Sequence, residues 1–516
     1  MKKTYVLLDA MGIQSYIFET NTLKIILGAS LALSRWQEEC KAIAVKCSGE
    51  AMASAGGNVL AVFNKEDDAH SFIAEGIDKR PKGMAIARAM ADDTGNDLET
   101  WRSLQRNIIR YKSGDRDSSD YPIDEEPVLP GCLHCGCRPS DGKKKIDDRS
   151  TCGICRHLHS LSAELETPLK STKSTAIEKL YTIPENPFPS QLEEMVKRPD
   201  GKGNDLMAVV VIDLNDMGNR IKNIIAENGF NAFKDFSVKL ENDFYESFCS
   251  TVKIFAPQNG GIPNDMSFIR LRPLVLGGDD AIFTMPAPMW PLFVSTTLAS
   301  LKKKGYPACA GITIAKHNFP INRLVLMAED LVKSAKGLSR FRNKKELALD
   351  WHIHQESAFS DPMAVRKRNY FISSDRYTDF HAVCTRRPYT LDEFVELKKN
   401  ANSISTATSS ISNRKIYTLY QSLRQGPKKT QEILKYIFLR DENDHMEKYK
   451  RIWEEVWKNP INPELIEIEY PLWDLVTDQN GVVRDLDNKR LYDTQWTDII
   501  ELKWLMEGPV SNEEDE

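Results

Sequence analysis

Residues 269–276 read Ile-Arg-Leu-Arg-Pro-Leu-Val-Leu; Gly277-Gly278-Asp279-Asp280 follows, and then Ala281-Ile-Phe-Thr-Met285. Two β-rich runs thus enclose two glycines and two aspartates. Taken alone this is a hairpin, because Gly and Asp dominate tight turns for backbone reasons. The flanking sequence adds more. Upstream, Met207-Ala-Val-Val-Val-Ile-Asp213 is continuously apolar and β-branched. Such a run is a strand buried on both faces, and this one ends on a carboxylate. Leu214, Asn215, Asp216, Met217 and Gly218 come next, then a helix-period stretch over 220–227. Downstream, 292–303 has the pattern of an amphipathic helix and 308–315 that of a strand. Residues 324–336 form another helix, with apolar positions at Leu324, Met327, Leu331 and Ala335. The order predicts a βαββαβ sheet with helices on one face, in which the end of the first strand neighbours the hairpin.

In that arrangement Asp213 faces Asp279 and Asp280 across a small gap. Converging carboxylates repel unless cations lie between them, and oxygen ligands suit Mg2+ (or Mn2+). Two such ions would activate a sugar hydroxyl and stabilise a departing pyrophosphate. Gly277 and Gly278 let a phosphate approach the backbone closely. Lys336 falls near the end of a helix beside the site, where a cation would hold a triphosphate; by itself it reads as a solvated helix charge.

The chain has 516 residues, enough for about three to four domains. Apolar residues make up 41% and charged residues 28%, a globular balance with ample core. The 69 Lys plus Arg against 74 Asp plus Glu exclude a protein that coats nucleic acid by charge alone, though not a local basic groove. No signal peptide or spanning helix is expected, since Asp9 breaks the first apolar run. A cytoplasmic protein follows, and clustered cysteines there are metal ligands first. Half of the ten cysteines fall between Cys132 and Cys155. Cys132-x2-Cys135 and Cys152-x2-Cys155 form two knuckles, each offering two thiolates to one structural Zn2+. Cys137 is left over, and His134, His157 and His159 lie close enough to substitute. The remaining cysteines read as small core residues.

With these residues in place, the chain resembles the large, polymerase-like palm subunit of type III CRISPR interference complexes. It is more distantly similar to GGDEF-type diguanylate cyclases. The resemblance rests on Gly277-Gly278-Asp279-Asp280, Asp213-Leu-Asn-Asp-Met-Gly218, Cys309-Ala-Gly-Ile-Thr-Ile314 and the run from Ala328 to Gly337. Ile13-Gln14-Ser15-Tyr16-Ile17-Phe18, Leu23-Lys24 and Gly28-Ala29-Ser30 look like a first palm of the same family. Ala55-Gly56-Gly57-Asn58 stands where the second palm has its Gly-Gly-Asp-Asp, so one unit near 4–90 is repeated near 206–356. The resemblance implies an α/β (α+β) chain of two ferredoxin-like βαββαβ palm domains, a zinc-binding element between them and a mostly helical C-terminal domain. The expected bounds are 1–125 for a degenerate first palm, 126–160 for the zinc element and 161–205 for a helical linker. The second palm takes 206–357 and the helical domain 358–516.

It also implies a function. The family's palms use ATP to make a cyclic oligoadenylate messenger, switched on by target RNA paired to a guide RNA within a multi-subunit complex. Asp213, Asp279 and Asp280 would be catalytic and hold the metal. Gly277, Gly278 and Lys336 would bind the donor nucleotide, with Ser30 and Asn58 on the acceptor side. Departures are visible. Relatives often begin with an HD nuclease domain, and here the first 69 residues contain no His, so this form is expected to lack it. Asn215 stands where relatives often have a second aspartate, and Cys309 where they commonly have Ser. Rival readings are a synthase of another nucleotide signal, either a cyclic dinucleotide or an ATP–S-adenosylmethionine conjugate, and a catalytically silent scaffold that binds RNA and protein.

In the C-terminal third, Thr390 and Glu393 have the spacing of a capping box. Residues 402–412 read as a loop or helix start, and 428–440 and 446–457 as amphipathic helices. Gln479-Asn480-Gly481 and Asp487-Asn488 suggest a small hairpin excursion, and 512–516 an acidic tail. Arg414, Lys415, Arg424, Lys428 and Lys429 read first as a solvated helical face. His352 and His354 share a strand face and read as ordinary sheet histidines.

Overall fold

The computed structural model describes residues 3–114, 130–140, 142, 145–165, 175–182, 188–197, 205–255, 269–342, 346–355, 360–372, 380–407, 413–439, 472–478, 481–482 and 490–507. The helix expected over 446–457, the tail 512–516 and Gln479, Asn480, Asp487 and Asn488 lie outside the described residues.

Strands β1 (Thr4–Ala10), β2 (Glu50–Ala55), β3 (Asn58–Phe63) and β4 (Ile86–Asp92) form an antiparallel sheet in the order β2-β3-β1-β4. Helices α1 (Ile13–Ile17) and α2 (Leu23–Lys46) join β1 to β2, α3 (Glu66–Asp78) joins β3 to β4, and α4 (Asp97–Ser113) follows. Next come α5 (Gly153–Ser162), α6 (Ala176–Thr182) and α7 (Leu192–Val196). A second sheet contains β5 (Leu206–Leu214), β6 (Arg272–Gly277), β7 (Asp280–Pro286), β8 (Ala308–Lys316) and β9 (Ala348–Ile353). Its order is β9-β8-β5-β7-β6, with the short strand Tyr389–Thr390 outside β9. Both sheets share one core order, in which the first strand lies between the fourth and the third.

Helices α8 (Met217–Ile254), α9 (Trp290–Lys303) and α10 (Ile321–Phe341) cover the second sheet on both faces, not on one as the pattern predicts. Val210 pairs with Phe283 and Ile312, and residues directly opposite share a face. That face meets α8 and α9, since Phe283 stacks on Phe248 at 5.1 Å and touches Phe293 at 4.9 Å between ring centroids. Val211 and Gly311 point the other way, where a Cβ on Gly311 would lie 1.9 Å from the Ala328 carbonyl oxygen of α10. The cause is β9, which runs parallel to β8. Parallel neighbours need a crossover, and α10 makes it over the face left by α8 and α9. Burial on both sides is why β5 carries no polar alternation before Asp213.

Helix α8 also ties the units together. It is longer than the predicted 220–227 stretch and kinks at Gly229, whose φ of 79° breaks the helical run. The Phe230 amide donates to Asp97 of α4 at 2.8 Å, and the Phe230 ring stacks on Tyr5 at 4.5 Å. Tyr5, Leu7, Leu60, Leu104, Ile108 and Phe233 therefore form one buried cluster between the first sheet, α4 and α8. In return, α2 packs against β6 of the second unit.

The C-terminal region contains α11 (Pro362–Tyr370), α12 (Leu391–Ala407), α13 (Asn413–Leu423), α14 (Pro427–Leu439) and α15 (Trp496–Glu507). The capping box is present: the Thr390 amide donates to Glu393 at 2.9 Å and the Glu393 amide to the Thr390 hydroxyl at 3.3 Å. Helix α12 continues to Ala407, past the expected loop start, and Tyr389–Thr390 pair with β9 before it begins. Short strands at Phe371–Ile372, Phe380–Val383, Arg490–Asp493 and Asp474–Leu475 add a sheet to this region. Its interior holds a buried Arg387, 3.0 Å from Asp498 and 3.2 Å from Glu501.

Candidate functional site

Asp213 near the end of β5 pairs in register with Asp280, the first residue of β7. The two side chains thus share a face, the one covered by α10, since Asp213 is two residues from Val211. Lys336 reaches them from α10, with Nζ 2.5 Å from Asp213 Oδ1. Asp279 occupies the turn, where its carbonyl accepts from the Leu214 amide at 3.1 Å. Gly278 carries φ of 67°, the left-handed backbone that this tight turn requires of a glycine. Asp279 is turned toward the other unit: a Cβ on Gly56 would lie 3.6 Å from Asp279 Oδ1. The two glycine turns therefore meet tip to tip.

A cleft of about 310 Å³ opens at this meeting point. Gly12, Ser15, Ser30 and Gly56 line it from the first unit, Gly277 and Asp280 from the second. A Cβ on Gly277 would meet nothing within 4 Å, which leaves room against the backbone. Gly278 borders a smaller space behind the turn, together with Ser34 and Gln37. Ser30 is buried on α2, and its carbonyl accepts from the Ser34 hydroxyl at 3.0 Å. Asn58 is exposed at the start of β3, pairs with Asp9, and donates to the Gly56 carbonyl at 3.5 Å.

The electrostatics are those of an acid cluster short of positive charge. Burial, with the Asp279 and Asp213 charges behind it, pushes Asp280 up to about 8, while Lys336 opposes the shift. Burial also raises Asp213 against the pull of Lys336. Glu329 lies two helical turns before Lys336 on α10, and burial pushes it up to about 7. The helical period of α10 puts Glu329, seven residues before Lys336, on the same side of the helix, which is the signal by which sequence could place it here. Asn215 is buried and turned toward α10, where its amide donates to the Ser339 hydroxyl at 3.1 Å. Cys309 is buried opposite Asp213 on β8.

The cysteine element forms a second candidate site. Cys132, Cys135, Cys152 and Cys155 are all buried, and their sulfurs lie within 4.8 Å of one another. Among the described residues no other group of three or more His, Cys, Asp or Glu converges to that degree, the three aspartates included. Cys152 and Cys155 hydrogen-bond to the Cys135 sulfur and lower its pKa, and the same contacts raise Cys152 to about 11 and Cys155 further. Four buried, converging sulfurs of this kind are a donor set that fits a divalent thiophilic ion. The other candidates stand aside. Cys137 is exposed and donates to the Cys135 carbonyl at 3.2 Å. His134 Nδ1 lies 2.9 Å from the Thr22 hydroxyl. The element packs tightly on α2, where a Cβ on Gly28 would fall 1.8 Å from the Leu158 carbonyl oxygen of α5.

No family model and no curated protein matches the sequence. Solved structures do match the fold. A crystal structure of a Csm1-Csm4 cassette in complex with cA4 superposes with a TM-score of 0.53 at 11% identity, over 98% of this chain and 70% of that one. A Csm1-Csm4 cassette in complex with AMPPNP gives 0.51 at 12% identity, over 98% and 70%. Csm1 of T. onnurineus gives 0.52 at 12% identity, over 98% and 69%. Along nearly its whole length, then, the chain has the fold of Csm1, which with Csm4 forms a subcomplex of the type III-A CRISPR-Csm interference complex.

Proposed function

We propose that this chain is an ATP-dependent nucleotidyltransferase that makes cyclic oligoadenylate as the large subunit of a type III CRISPR complex. The observation that carries the reading is the in-register pairing of Asp213 with Asp280, with Lys336 bound to Asp213, at a cleft that both units line. The solved relatives support the choice of nucleotide, since cassettes of that fold hold cA4, cA3, AMPPNP and pppApA.

Asp213, Asp279 and Asp280 would hold Mg2+ or Mn2+, and their mutual repulsion fits that role. Divalent ions there would make the acceptor hydroxyl a better nucleophile and neutralise the leaving pyrophosphate. Lys336 binds the donor's phosphates, and in doing so it leaves Asp213 free of its ion pair. Gly277 and Gly278 admit the triphosphate against the backbone. Ser30, on the opposite wall of the cleft, orients the acceptor with its 3′ hydroxyl toward the donor's α-phosphate, and Asn58 borders that side. Cys132, Cys135, Cys152 and Cys155 would hold a structural Zn2+. Partner subunits carry the guide RNA, and paired target RNA switches the palms on. That division of labour suits a chain of formal charge −5, and among the described residues no helix is long and apolar enough to cross a membrane.

The test uses the assembled complex with ATP, Mg2+ and target RNA, and mass spectrometry of the products. Asp279→Ala with Asp280→Ala is expected to abolish product while assembly and fold remain. Undiminished product from the double variant overturns the assignment, and a product of another mass overturns the oligoadenylate reading alone.

A further inference from the structure

Helix α4 packs one face inward and leaves the other without a partner. Leu104, Ile108 and Tyr111 are buried in the cluster shared with α8. The opposite face is exposed at Arg102, Arg106 and Arg110. Steps of four residues put one arginine on each successive turn, about 6 Å apart along the axis. Among the described residues, none of the three guanidinium groups forms an ion pair or a hydrogen bond. Like charges at that spacing cost a helix about 0.2–0.5 kcal/mol per pair. Arg110 recovers part of this in the last turn, where the macrodipole favours a cation, but Arg102 and Arg106 lie too far from that end to gain. The one exposed acid on α4 is Glu99, in its first turn. Nothing within the chain therefore rewards the row.

A protein partner would need an apolar centre from which charge is depleted, and Ile109 is the one large apolar side chain exposed on α4. A row of guanidinium groups suits a polyanion instead, because each can grip a phosphate with two parallel hydrogen bonds and successive turns can follow a strand. We infer that the outer face of α4 is an RNA docking surface, on which Arg102, Arg106 and Arg110 hold the phosphate backbone. This rests on the proposed function, in which guide and target RNA belong to the assembly, and it adds a direct contact between that RNA and this chain. The net charge of −5 does not oppose it, since charges more than about 10 Å away are screened at 0.1 M salt. The place suits a switch. Near its start α4 is tied to α8, where Asp97 accepts the Phe230 amide beside the Gly229 kink. At its other end Lys112 Nζ lies 2.5 Å from Asp9 Oδ2, and Ala10 and Gly12 just beyond Asp9 line the cleft. RNA seated on α4 thus bears on both units.

Fluorescence anisotropy with the full chain tests this, using a labelled guide RNA alone and paired to its target, from ~50 to ~200 mM salt. Each phosphate contact contributes ~0.7–0.9 to the slope of log affinity against log salt, so Arg102→Gln with Arg106→Gln and Arg110→Gln should lower that slope by about 2–3. The loss should be equal for any RNA sequence, because backbone contacts read no bases. Arg102→Lys with Arg106→Lys and Arg110→Lys should keep the wild-type slope, which separates charge from damage to α4. Binding of both RNA forms places the guide on α4, and binding of the duplex alone places the paired target there; either supports the inference. An unchanged slope in the Gln variant overturns it, as does an equal loss in the Lys variant or a wild-type chain that binds neither form. Displacement by polyglutamate as readily as by unlabelled RNA also overturns it and assigns the face to an acidic protein. None of these results touches the proposed function, which falls instead if the assembled wild-type complex makes no product from ATP with target RNA.

Discussion

Replacing Asp280 with Asn should make the metal-free chain more resistant to heat at neutral pH, although it removes a residue assigned to catalysis. Burial, followed by the Asp279 and Asp213 charges, moves Asp280 from 3.8 to about 8. The folded pKa lies above the unfolded one, so this group's contribution to stability is complete below pH 3.8 and is lost as pH rises to about 8. Between 3.8 and 7, at about 1.4 kcal/mol per pH unit, the loss reaches a ceiling of about 4 kcal/mol. Asn carries no charge at any of these values and escapes the loss. Water in the open cleft screens part of it, which leaves about 2 kcal/mol, or ~4–8 °C in Tm for a unit of 150–250 residues. Differential scanning calorimetry in EDTA from pH 4 to 8.5 reads this directly. The wild-type Tm should drop relative to that of Asp280→Asn as pH rises, and Mg2+ should raise the wild-type value alone. Parallel profiles for the two proteins across that range would refute the repulsive cluster.

Gly311→Ala should cost about 3 kcal/mol in urea unfolding, because the new Cβ would lie 1.9 Å from the Ala328 carbonyl oxygen and α10 must move; product formation should fall with it, since α10 carries Lys336. Cys152→Ser should lower bound zinc from one ion per chain to none in a chelator-release assay and reduce Tm, because a closed tetrahedral site does not tolerate loss of a thiolate. Arg387→Met should destabilise the C-terminal region by about 3–5 kcal/mol, since it leaves Asp498 and Glu501 buried without their cation; a denaturation midpoint equal to wild type would show that the network is dispensable.

Much of the second unit was legible because its signals are local. The run before Asp213, the Gly-Gly-Asp-Asp turn and the apolar stripe of α10 each declare an element within a dozen residues, and the observed strands start and stop within a few residues of those readings. The kink at Gly229 was not legible, because what sustains it is an aspartate from α4, far away in the chain. Nor was the placement of α10 on its own face: a pattern shows that a helix is amphipathic but not which side of a sheet its crossover takes. The partial burial of Glu329 was not legible for a related reason, since an acid on a helix reads as solvated until the sheet beneath it is known.

By itself the sequence determined the elements, the knuckle spacing of the four cysteines and the acidic residues at strand ends, because all of these follow from backbone preference, side-chain period and ligand chemistry over short separations. The order of elements already brought Asp213 to Asp279 and Asp280; tertiary structure alone decided that its register partner is Asp280, that the Gly56 turn meets Asp279, and that Asp9 and Lys112, 103 residues apart, repeat the pair made by Asp213 and Lys336. These are matters of register and of packing between units. They are fixed by the long-range burial of two sheets and the helices they share, for which no short stretch of sequence carries a signal.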